Sequence, residues 1–353
     1  MPQRVTIQQL ADQLGLSKFS VSRALSGKSG VADATRAHVL RTAHQLGYHR
    51  QADSPASIRQ VLFVMHDQDN VSSEMWVNML HGAEREGARH GYAIIARQAR
   101  LLGDVARLHA SVAGLILAMT RPAELIPDLS RAGLPMVSTG YVGPLDRVDQ
   151  VVGADWEAGI VIARFLVGLG HRSIGFVRGQ PGLFGRTERF RGLRDGALDR
   201  AAVYEIGFPE PEGFREAFLQ QVSNGVAPTA LFCAHDGLAV TVISELLRLA
   251  IRVPEDISVV GFNDYVCATQ IVPQLTTIRM PHEDMGAAAM RCLAQRIVQA
   301  DAERLPPLRI ALTPEFIERQ STGPAGDLSW VRRLITGSPE GNNDFAQAKP
   351  ALR

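Results

Sequence analysis

The hydrophobic pattern of the chain changes near residue 60, and this change constrains the fold more than any other feature of the sequence. Over residues 61–320, short apolar runs alternate with longer patterns of helical spacing, such as 75–90 and 156–169. This alternation predicts an α/β fold with parallel sheets. It is too long for one small sheet, so we expect two lobes with a ligand cleft between them, beyond the carboxyl ends of the strands. The predicted strands are 61–65, 93–96, 115–118, 136–138, 174–177, 230–234 and 258–262.

Residues 1–49 carry a different pattern, in which apolar positions recur at helical spacing. Gly15 ends a first short helix, and Ser17 can cap a second helix that closes at Gly27. A third amphipathic helix is expected from about Asp33. Three short helices with a tight glycine turn predict an all-α helix-turn-helix domain. The residues expected to face its core are Leu10, Ala11, Val21, Ala24, Leu25, Val39, Leu40, Ala43 and Leu46.

Charge is distributed unevenly along the chain, although its formal net charge is only +1. Residues 1–60 contain eight basic and three acidic side chains, a balance of +5, so the remainder carries −4. A basic segment on an acidic body is typical of a domain that meets phosphate. An ordinary solvated surface would give the same sum.

No pattern in the chain indicates a catalytic, metal or cofactor site. The three cysteines belong to no CxxC or Cys/His cluster, so we expect neither a disulfide nor a zinc site. Gly27-Lys28-Ser29 ends like a phosphate loop, but Ser22 stands where that loop requires its first glycine. Gly168-Leu169-Gly170 begins a dinucleotide fingerprint, but Ser173 replaces the third glycine. The sequence also lacks GxSxG and HExxH, and we therefore expect no enzyme, no cofactor and no metal.

The run VTIQQLADQLGLSKFSVSRALSGKSGVADATRAHVLRTAHQLGYH resembles the headpiece of the LacI/GalR family of bacterial transcriptional regulators. The match includes SxxSVSRAL, the VxxxTR start of the third helix and the LGY end. HGAEREGARHGY, LGHRSIGFV and VPEDISVVGFND continue the likeness, which covers about residues 5–318. The resemblance implies a helix-turn-helix headpiece, a two-lobed core similar to periplasmic sugar-binding proteins, and dimers on palindromic operators.

The resemblance also implies which residues contact DNA. A helix-turn-helix places its second helix in the major groove, where side chains of the first turns reach base edges. Arg23 can donate two hydrogen bonds to guanine, and Phe19 can contact a thymine methyl group. The alternative is that Lys18 and Arg23 are ordinary exposed charges. The family's base-reading positions correspond to Lys18, Phe19 and Arg23, and its phosphate-contacting positions to Thr6, Ser17, Ser20, Ser22 and Thr35.

Effector contacts implied by the resemblance lie in the core. Trp76 and Phe208 can stack on a sugar or base ring, and Arg189 can hold hydroxyls or a carboxylate. A lone aromatic residue is equally often part of the core. Asn263 stands where the family frequently has aspartate, which disfavours a neutral sugar gripped by a carboxylate. The implied contacts are Trp76, Arg189, Phe208, His235 and Asn263, with Asp155 close to the cleft.

The expected organisation has four parts. Residues 1–49 form the headpiece, 50–60 a linker, 61–320 the effector-binding and dimerisation core, and 321–353 a disordered tail rich in Gly, Pro, Asn and Ser. Within the core, the chain is expected to cross between the lobes near residues 154, 279 and 309.

Three functions are considered for a chain with this pattern: a regulator, a sugar-binding protein and an α/β enzyme. The basic helix-turn-helix favours a DNA-binding repressor whose operator affinity is controlled by a small molecule, expected to be a sugar or a sugar derivative. No stretch approaches the roughly 20 apolar residues of a membrane helix, and the first residues lack the apolar core of a signal peptide, so we expect a cytoplasmic protein. Whether the effector releases or strengthens DNA binding stays open.

The linker departs from the family pattern. In relatives, a hinge helix after the headpiece inserts a leucine into the minor groove, and such a wedge kinks DNA. Residues 49–60 contain no leucine, and Pro55 leaves room for barely one helical turn, with Ile58 as its only large apolar side chain. We therefore expect little or no operator kinking. The alternative is that Ile58 replaces the leucine.

Overall fold

The computed structural model describes residues 7–25, 32, 35, 38–39, 42–43, 59–65, 73–99, 112–118, 126–131, 133–179, 183–209, 212–298 and 305–336. The chain divides into two compact units, Met1–Arg59 and Gln60–Arg353. Residues 50–58 of the predicted linker lie outside the described residues, whereas its last two residues already belong to a strand.

The first unit begins with helices α1 (Ile7–Leu14) and α2 (Lys18–Leu25). Gly15 takes a left-handed φ of 64°, and its N–H and that of the next residue bond back to carbonyls in the last turn of α1. The Ser17 hydroxyl oxygen accepts the backbone N–H of Ser20 at 3.0 Å. The predicted glycine stop and serine cap are both confirmed.

A small apolar core joins the helices of this unit. Leu10 and Val21 are fully buried in it, and Val39 of the third predicted helix packs with them. Thr35, 38–39 and 42–43 have helical backbone, and the other positions of that helix lie outside the described residues. The remaining buried members of the cluster are Ala11, Ala24 and Ala43.

The first lobe of the second unit is built on a six-stranded sheet. Its strands are β1 (Arg59–Met65), β2 (Tyr92–Gln98), β3 (Gly114–Ala118), β4 (Met136–Ser138), β5 (Asp149–Gly153) and β11 (Arg309–Leu312). They lie in the order β11-β5-β4-β3-β1-β2, and the pairs from β11 to β1 are parallel. The helices of this lobe are α3 (Ser73–Arg89), α4 (Ile126–Arg131) and α10 (His282–Val298).

The second lobe contains a four-stranded parallel sheet in the order β7-β6-β8-β9, with β6 (Ser173–Gly179), β7 (Ala202–Gly207), β8 (Ala230–Cys233) and β9 (Ser258–Val260). Its helices are α5 (Asp155–Gly168), α6 (Phe184–Ala197), α7 (Phe214–Ser223), α8 (Asp236–Arg248), α9 (Cys267–Gln270) and α11 (Ser329–Thr336). A separate antiparallel ribbon pairs β10 (Thr277–Arg279) with β12 (Glu315–Ile317).

All seven apolar runs that the sequence predicted as strands are strands in the structure, and the parallel sheets confirm the α/β class. The sequence did not predict β5, β7, β11 or the two strands of the ribbon. Strand β7 escaped notice because it lies at a sheet edge and is mostly half-buried, so Tyr204 and Glu205 interrupt its apolar run. As expected for small apolar residues, Cys233 and Cys292 are buried, while Cys267 is half-buried.

The chain crosses between the lobes after β5, after β10 and after β11. The third crossing, at 313–314, lies beyond the predicted residue 309, because Arg309–Leu312 pairs with β5 in the first sheet. Two crossings touch each other: a Cβ at Gly153 would clash with the sulfur of Met280. Glycine is therefore required where the first crossing begins.

The prediction of disorder from residue 321 is wrong for residues 321–336. Ser321 is fully buried, and its hydroxyl donates to a strand β9 carbonyl at 2.6 Å. In α11, Trp330 is 1% exposed and its ring lies 5.7 Å from that of Phe218. The abundance of glycine, proline and serine concealed one short amphipathic helix. Residues 337–353 lie outside the described part of the chain.

An ion pair reinforces this docking. Arg333 of α11 donates to the carboxylate of Asp256 at 2.8 Å. Burial disfavours ionisation of Asp256, but hydrogen bonds from Arg252 and Arg333 outweigh that effect and lower its pKa to about 2. Because this pKa lies below the unfolded value, the stabilisation is present above about pH 4 and is lost as the pH falls towards 2.

The described residues lack two kinds of feature, a membrane-spanning helix and a metal-binding cluster. No helix among them is both long and apolar enough to cross a membrane. Within the same part of the chain, no three His, Cys, Asp or Glu side chains are grouped so as to hold a metal ion.

Replacing Trp330 by alanine should lower the free energy of unfolding by about 3 to 5 kcal/mol, because the change leaves a cavity beside Phe218. Urea unfolding measures the loss. The control is Leu328→Ala, since Leu328 is 46% exposed and should change stability by less than about 0.5 kcal/mol. Equal, small effects of both variants would show that α11 is not docked in solution.

Candidate functional site

A cavity of about 340 Å³ lies between the two lobes. Several of its polar lining residues directly follow strands: Thr139 follows β4, Asp155 follows β5, His235 follows β8 and Asn263 follows β9. Ligands of open α/β sheets bind beyond the carboxyl ends of the strands. The cavity therefore lies where this fold is expected to bind a small molecule.

Five of the six predicted effector contacts line this one cavity, namely Trp76, Asp155, Arg189, His235 and Asn263. Phe208 is not among the lining residues. Its side chain is 6% exposed and packs edge-on against Phe214, with the ring centroids 6.0 Å apart. The structure thus places Phe208 in the core of the second lobe, where aromatic packing rather than ligand contact accounts for it.

Arg189 of α6 joins several elements beneath the cavity. Its Nε donates to Asp155 Oδ1 at 2.7 Å, and its Nη1 donates to the backbone carbonyl of Ala234. Its guanidinium carbon lies 3.5 Å from the centre of the Phe262 ring, in cation–π contact. Burial raises the pKa of Asp155, and the charge of Arg189 opposes that rise. Three contacts therefore hold the Arg189 side chain in place.

Three buried polar atoms around the cavity lack a hydrogen-bond partner among the residues that the structure describes. They are Nε1 of Trp76, Oγ1 of Thr139 and Oδ1 of Asn263. Each side chain is less than 10% exposed. A buried polar atom without a partner costs roughly 1 to 3 kcal/mol. Three such atoms lining one cavity indicate groups that a bound molecule satisfies, because buried polar groups are otherwise almost always paired.

The loop that carries Asn263 is held in a left-handed conformation, with φ of 102° at Asn263. Asp236 supports this loop, since its carboxylate accepts the N–H of Tyr265 at 2.7 Å and the hydroxyl of Thr277 at 2.6 Å. Burial raises the pKa of Asp236 to about 7 against these hydrogen bonds. Backbone strain of this kind persists only where the surroundings enforce it, and it is concentrated at functional sites.

Two histidines of the cavity have defined roles. His235 caps α8, and its Nδ1 accepts the N–H of Leu238 at 3.1 Å. The proton of the neutral imidazole therefore lies on Nε2. His282 is 5% exposed, and burial together with nearby Arg189 lowers its pKa to about 3. His282 is accordingly uncharged at neutral pH.

Two contacts join the lobes, one of them between residues that line the cavity. The rings of Tyr141 in the first lobe and Phe184 in the second are stacked, with centroids 4.3 Å apart. The carboxylate of Glu74 in α3 accepts the backbone N–H of Val266 in the second lobe at 3.2 Å. The described conformation is thus a closed one, held by an aromatic pair and a charge-assisted hydrogen bond.

Sequence analysis did not find Thr139, Tyr141, Phe184 or His282. Thr139 follows a correctly predicted strand, so the rule on strand carboxyl ends would have found it. Tyr141 and Phe184 lie in loops of different lobes, and no spacing along the chain indicates that their rings stack. His282 likewise depends on tertiary packing for its position.

Helix α2 of the first unit has an exposed face, opposite the side chains that pack in the core. Lys18, Phe19 and Ser22 are exposed, and Phe19 is 68% exposed. The guanidinium of Arg23 lies 5.3 Å from the Phe19 ring centre. The cation–π contact orients both side chains on the exposed face of α2, where the sequence predicts base contacts.

Of the other predicted DNA contacts, the structure describes Ser17, Ser20 and Thr35. The hydroxyls of Ser17 and Ser20 bond to each other at 2.9 Å, in addition to the cap that Ser17 forms. Thr35 is helical and half-buried, and Thr6 lies outside the described residues. Their contacts with phosphate stay predictions.

Two family models match the chain. Residues 6–51 match the model described as bacterial regulatory proteins, lacI family, and residues 163–322 match a periplasmic binding protein-like domain. The first match covers the helix-turn-helix, and the second covers most of the second lobe.

Similar proteins match this chain over most of its length. A relative from Haemophilus influenzae, the HTH-type transcriptional repressor PurR, is 28% identical over 337 residues, which cover 90% of this chain and 98% of the relative. PurR of Yersinia pestis is 29% identical over 345 residues, covering 91% and 98%. Among solved structures, a transcriptional regulator CelR–cellobiose complex is 25% identical with a TM-score of 0.64, covering 90% of this chain and 100% of that one. These relatives are regulators rather than enzymes.

The stacked pair Tyr141 and Phe184 should couple the two lobes by about 0.5 to 1.5 kcal/mol, the usual value for an aromatic pair. A double-mutant cycle with Tyr141→Ala, Phe184→Ala and the combined variant measures this coupling from urea unfolding. The matched pair for comparison is Tyr141→Ala with Phe19→Ala, since Phe19 belongs to the other unit. Strict additivity of the Tyr141 and Phe184 effects would show that the rings do not meet in solution.

Proposed function

We propose that this chain is a transcriptional repressor of the lacI family, whose affinity for operator DNA is controlled by a small molecule bound between its two lobes. The headpiece reads the operator through α2, with Lys18, Phe19 and Arg23 at base edges. The cavity around Arg189 receives the effector. The match of one chain to a lacI-family model and to a periplasmic binding protein-like domain supports both halves of this proposal.

The three unpartnered polar atoms of the cavity carry the proposal of an effector. Trp76 belongs to one lobe and Asn263 to the other, so a molecule that bonds to both atoms favours a particular arrangement of the lobes. A ligand shifts an equilibrium only through its different affinities for the two states. The closed arrangement seen here is one of these states, and effector binding selects it.

The protein acts as a homodimer on a pseudo-palindromic operator in the cytoplasm, as expected for repressors of this family. A two-fold symmetric dimer places two recognition helices about one helical turn of DNA apart. The CelR relative is described in complex with cellobiose, and a sugar or sugar derivative is one candidate class of effector for this chain.

Replacing Arg23 by alanine should weaken operator binding by about 1 to 3 kcal/mol, because a bidentate contact with guanine is lost. Binding to random duplex should change little. Both affinities are measured at one fixed salt concentration, since phosphate contacts make them salt-dependent. Arg131→Ala removes the same charge from an exposed site in the other unit and serves as the control. Equal losses on operator and random DNA would make Arg23 a phosphate contact.

Replacing Arg189 by alanine should abolish the response to effector and leave operator binding of the free protein nearly unchanged, because the two sites lie on separate units. The response is measured by titrating small molecules against the protein–operator complex. The double variant Asp155→Asn/Arg189→Ala controls for the carboxylate that the single change leaves unpaired. A variant that responds at the same effector concentration as wild type would remove Arg189 from the site.

A further inference from the structure

Methionine is concentrated in the cavity to an unusual degree. Four of the nine methionines of the chain line it: Met75, Met79, Met280 and Met285. The last three are 2%, 6% and 4% exposed. They come from α3, from the second crossing and from α10, so no single amphipathic helix accounts for the cluster. A thioether is at most a weak hydrogen-bond acceptor, and it makes favourable contacts with aromatic rings.

Aromatic side chains complete the apolar part of the lining. Trp76 lies beside two of the methionines on α3, and the stacked rings of Tyr141 and Phe184 bridge the lobes. Rings and thioethers together favour a flat, apolar molecule, because aromatic groups stack on one another and sulfur approaches ring edges.

The charges of the cavity nearly cancel. Its lining includes three carboxylates, of Asp155, Glu157 and Glu188, and two guanidinium groups, of Arg186 and Arg189. The buried carboxylate of Asp155 is already paired with Arg189. His282 is neutral. A charged ligand of either sign would lose its hydration on entering this largely apolar lining, and an anion would in addition meet one more carboxylate than guanidinium groups.

The polar requirements of the cavity are few. Trp76 Nε1 needs an acceptor, Asn263 Oδ1 needs a donor, and the Thr139 hydroxyl can serve as either. A ligand with one donor and one or two acceptors satisfies all three atoms. A sugar carries a hydroxyl on nearly every carbon, and those that face the methionines would lose their hydrogen bonds to water without replacement.

We propose that the cavity selects an uncharged, flat, largely apolar ligand with one hydrogen-bond donor and one or two acceptors, such as a small aromatic amide or phenol, in preference to a sugar. This inference rests on the proposed function only in that both place the effector in this cavity. The ligand ring lies against the four methionines, and its polar end reaches Trp76, Thr139 and Asn263.

The test uses the full-length protein labelled with ¹³C in its methionine methyl groups. The aromatic probes are benzamide, phenol and indole, the charged counterpart is benzoate, and the sugar probes are ribose, glucose and cellobiose. An aromatic ring shifts the NMR signals of methyl groups that it contacts. We expect at least one aromatic probe to shift Met75, Met79, Met280 and Met285 saturably, while Met136 and Met290, which lie outside the lining, stay unmoved. Leucine substitutions assign the signals.

Two comparisons sharpen the result. Benzoate should bind at least about tenfold more weakly than benzamide, because its negative charge loses hydration in a lining that already holds more carboxylates than guanidinium groups. Thr139→Val should weaken binding of the best aromatic probe about tenfold, the effect of one lost buried hydrogen bond. The matched control, Thr241→Val, alters a threonine outside the cavity lining and should have no effect.

Saturable binding of a sugar with no response to any aromatic probe would overturn the inference, and so would tighter binding of benzoate than of benzamide. Shifts at Met136 and Met290 equal to those of the lining methionines would overturn it as well. Operator binding is measured in parallel by gel shift. A protein that binds operator but none of the aromatic probes refutes the ligand class alone, whereas a protein that does not bind DNA refutes the proposed function.

Discussion

The guanidinium of Arg189 holds the floor of the cavity together, and the positions of the other polar groups depend on it. One side chain joins the start of α5, the end of β8 and the segment after β9 through Asp155, Ala234 and Phe262. Because Asp155 directly follows the first crossing between the lobes, the same ion pair fixes the hinge to the second lobe. A buried cation persists only with such compensation, since its desolvation cost exceeds what one contact returns.

The closed arrangement follows from a small number of contacts across the lobes. An aromatic pair and a charge-assisted hydrogen bond join the two lobes, and the close approach of Gly153 and Met280 brings two crossings together. Contacts of this kind are few compared with the packing within each lobe, so rotation of the lobes as rigid bodies about the crossings is the motion we expect. A ligand that forms hydrogen bonds with both lobes adds to these contacts between the lobes. The energy available for regulation is the difference in ligand affinity between closed and open forms.

Features that depend on residues close together in the sequence could be predicted from it. Features that depend on tertiary packing could not. Apolar runs and helix caps located seven strands and the turn between α1 and α2, because these signals lie within a few residues of one another. The same analysis placed Phe208 at the ligand, although an aromatic series in the second lobe buries it. Residues beyond 320 were predicted to be disordered because they are rich in Gly, Pro, Asn and Ser, and nothing in the local sequence shows that Trp330 packs against Phe218. The cluster of methionines in the cavity could not be predicted from the sequence, since its members come from three elements that are far apart in the chain.

The central claim is that a molecule in this cavity and an operator on the headpiece affect each other's binding. The most direct test measures the affinity of a cavity ligand by tryptophan fluorescence, with and without saturating operator duplex. Thermodynamic linkage requires that operator changes the affinity for the ligand by the same factor by which the ligand changes the affinity for operator. The account predicts a difference of about 5- to 150-fold, the usual range of such coupling. Identical ligand affinities with and without operator would contradict it.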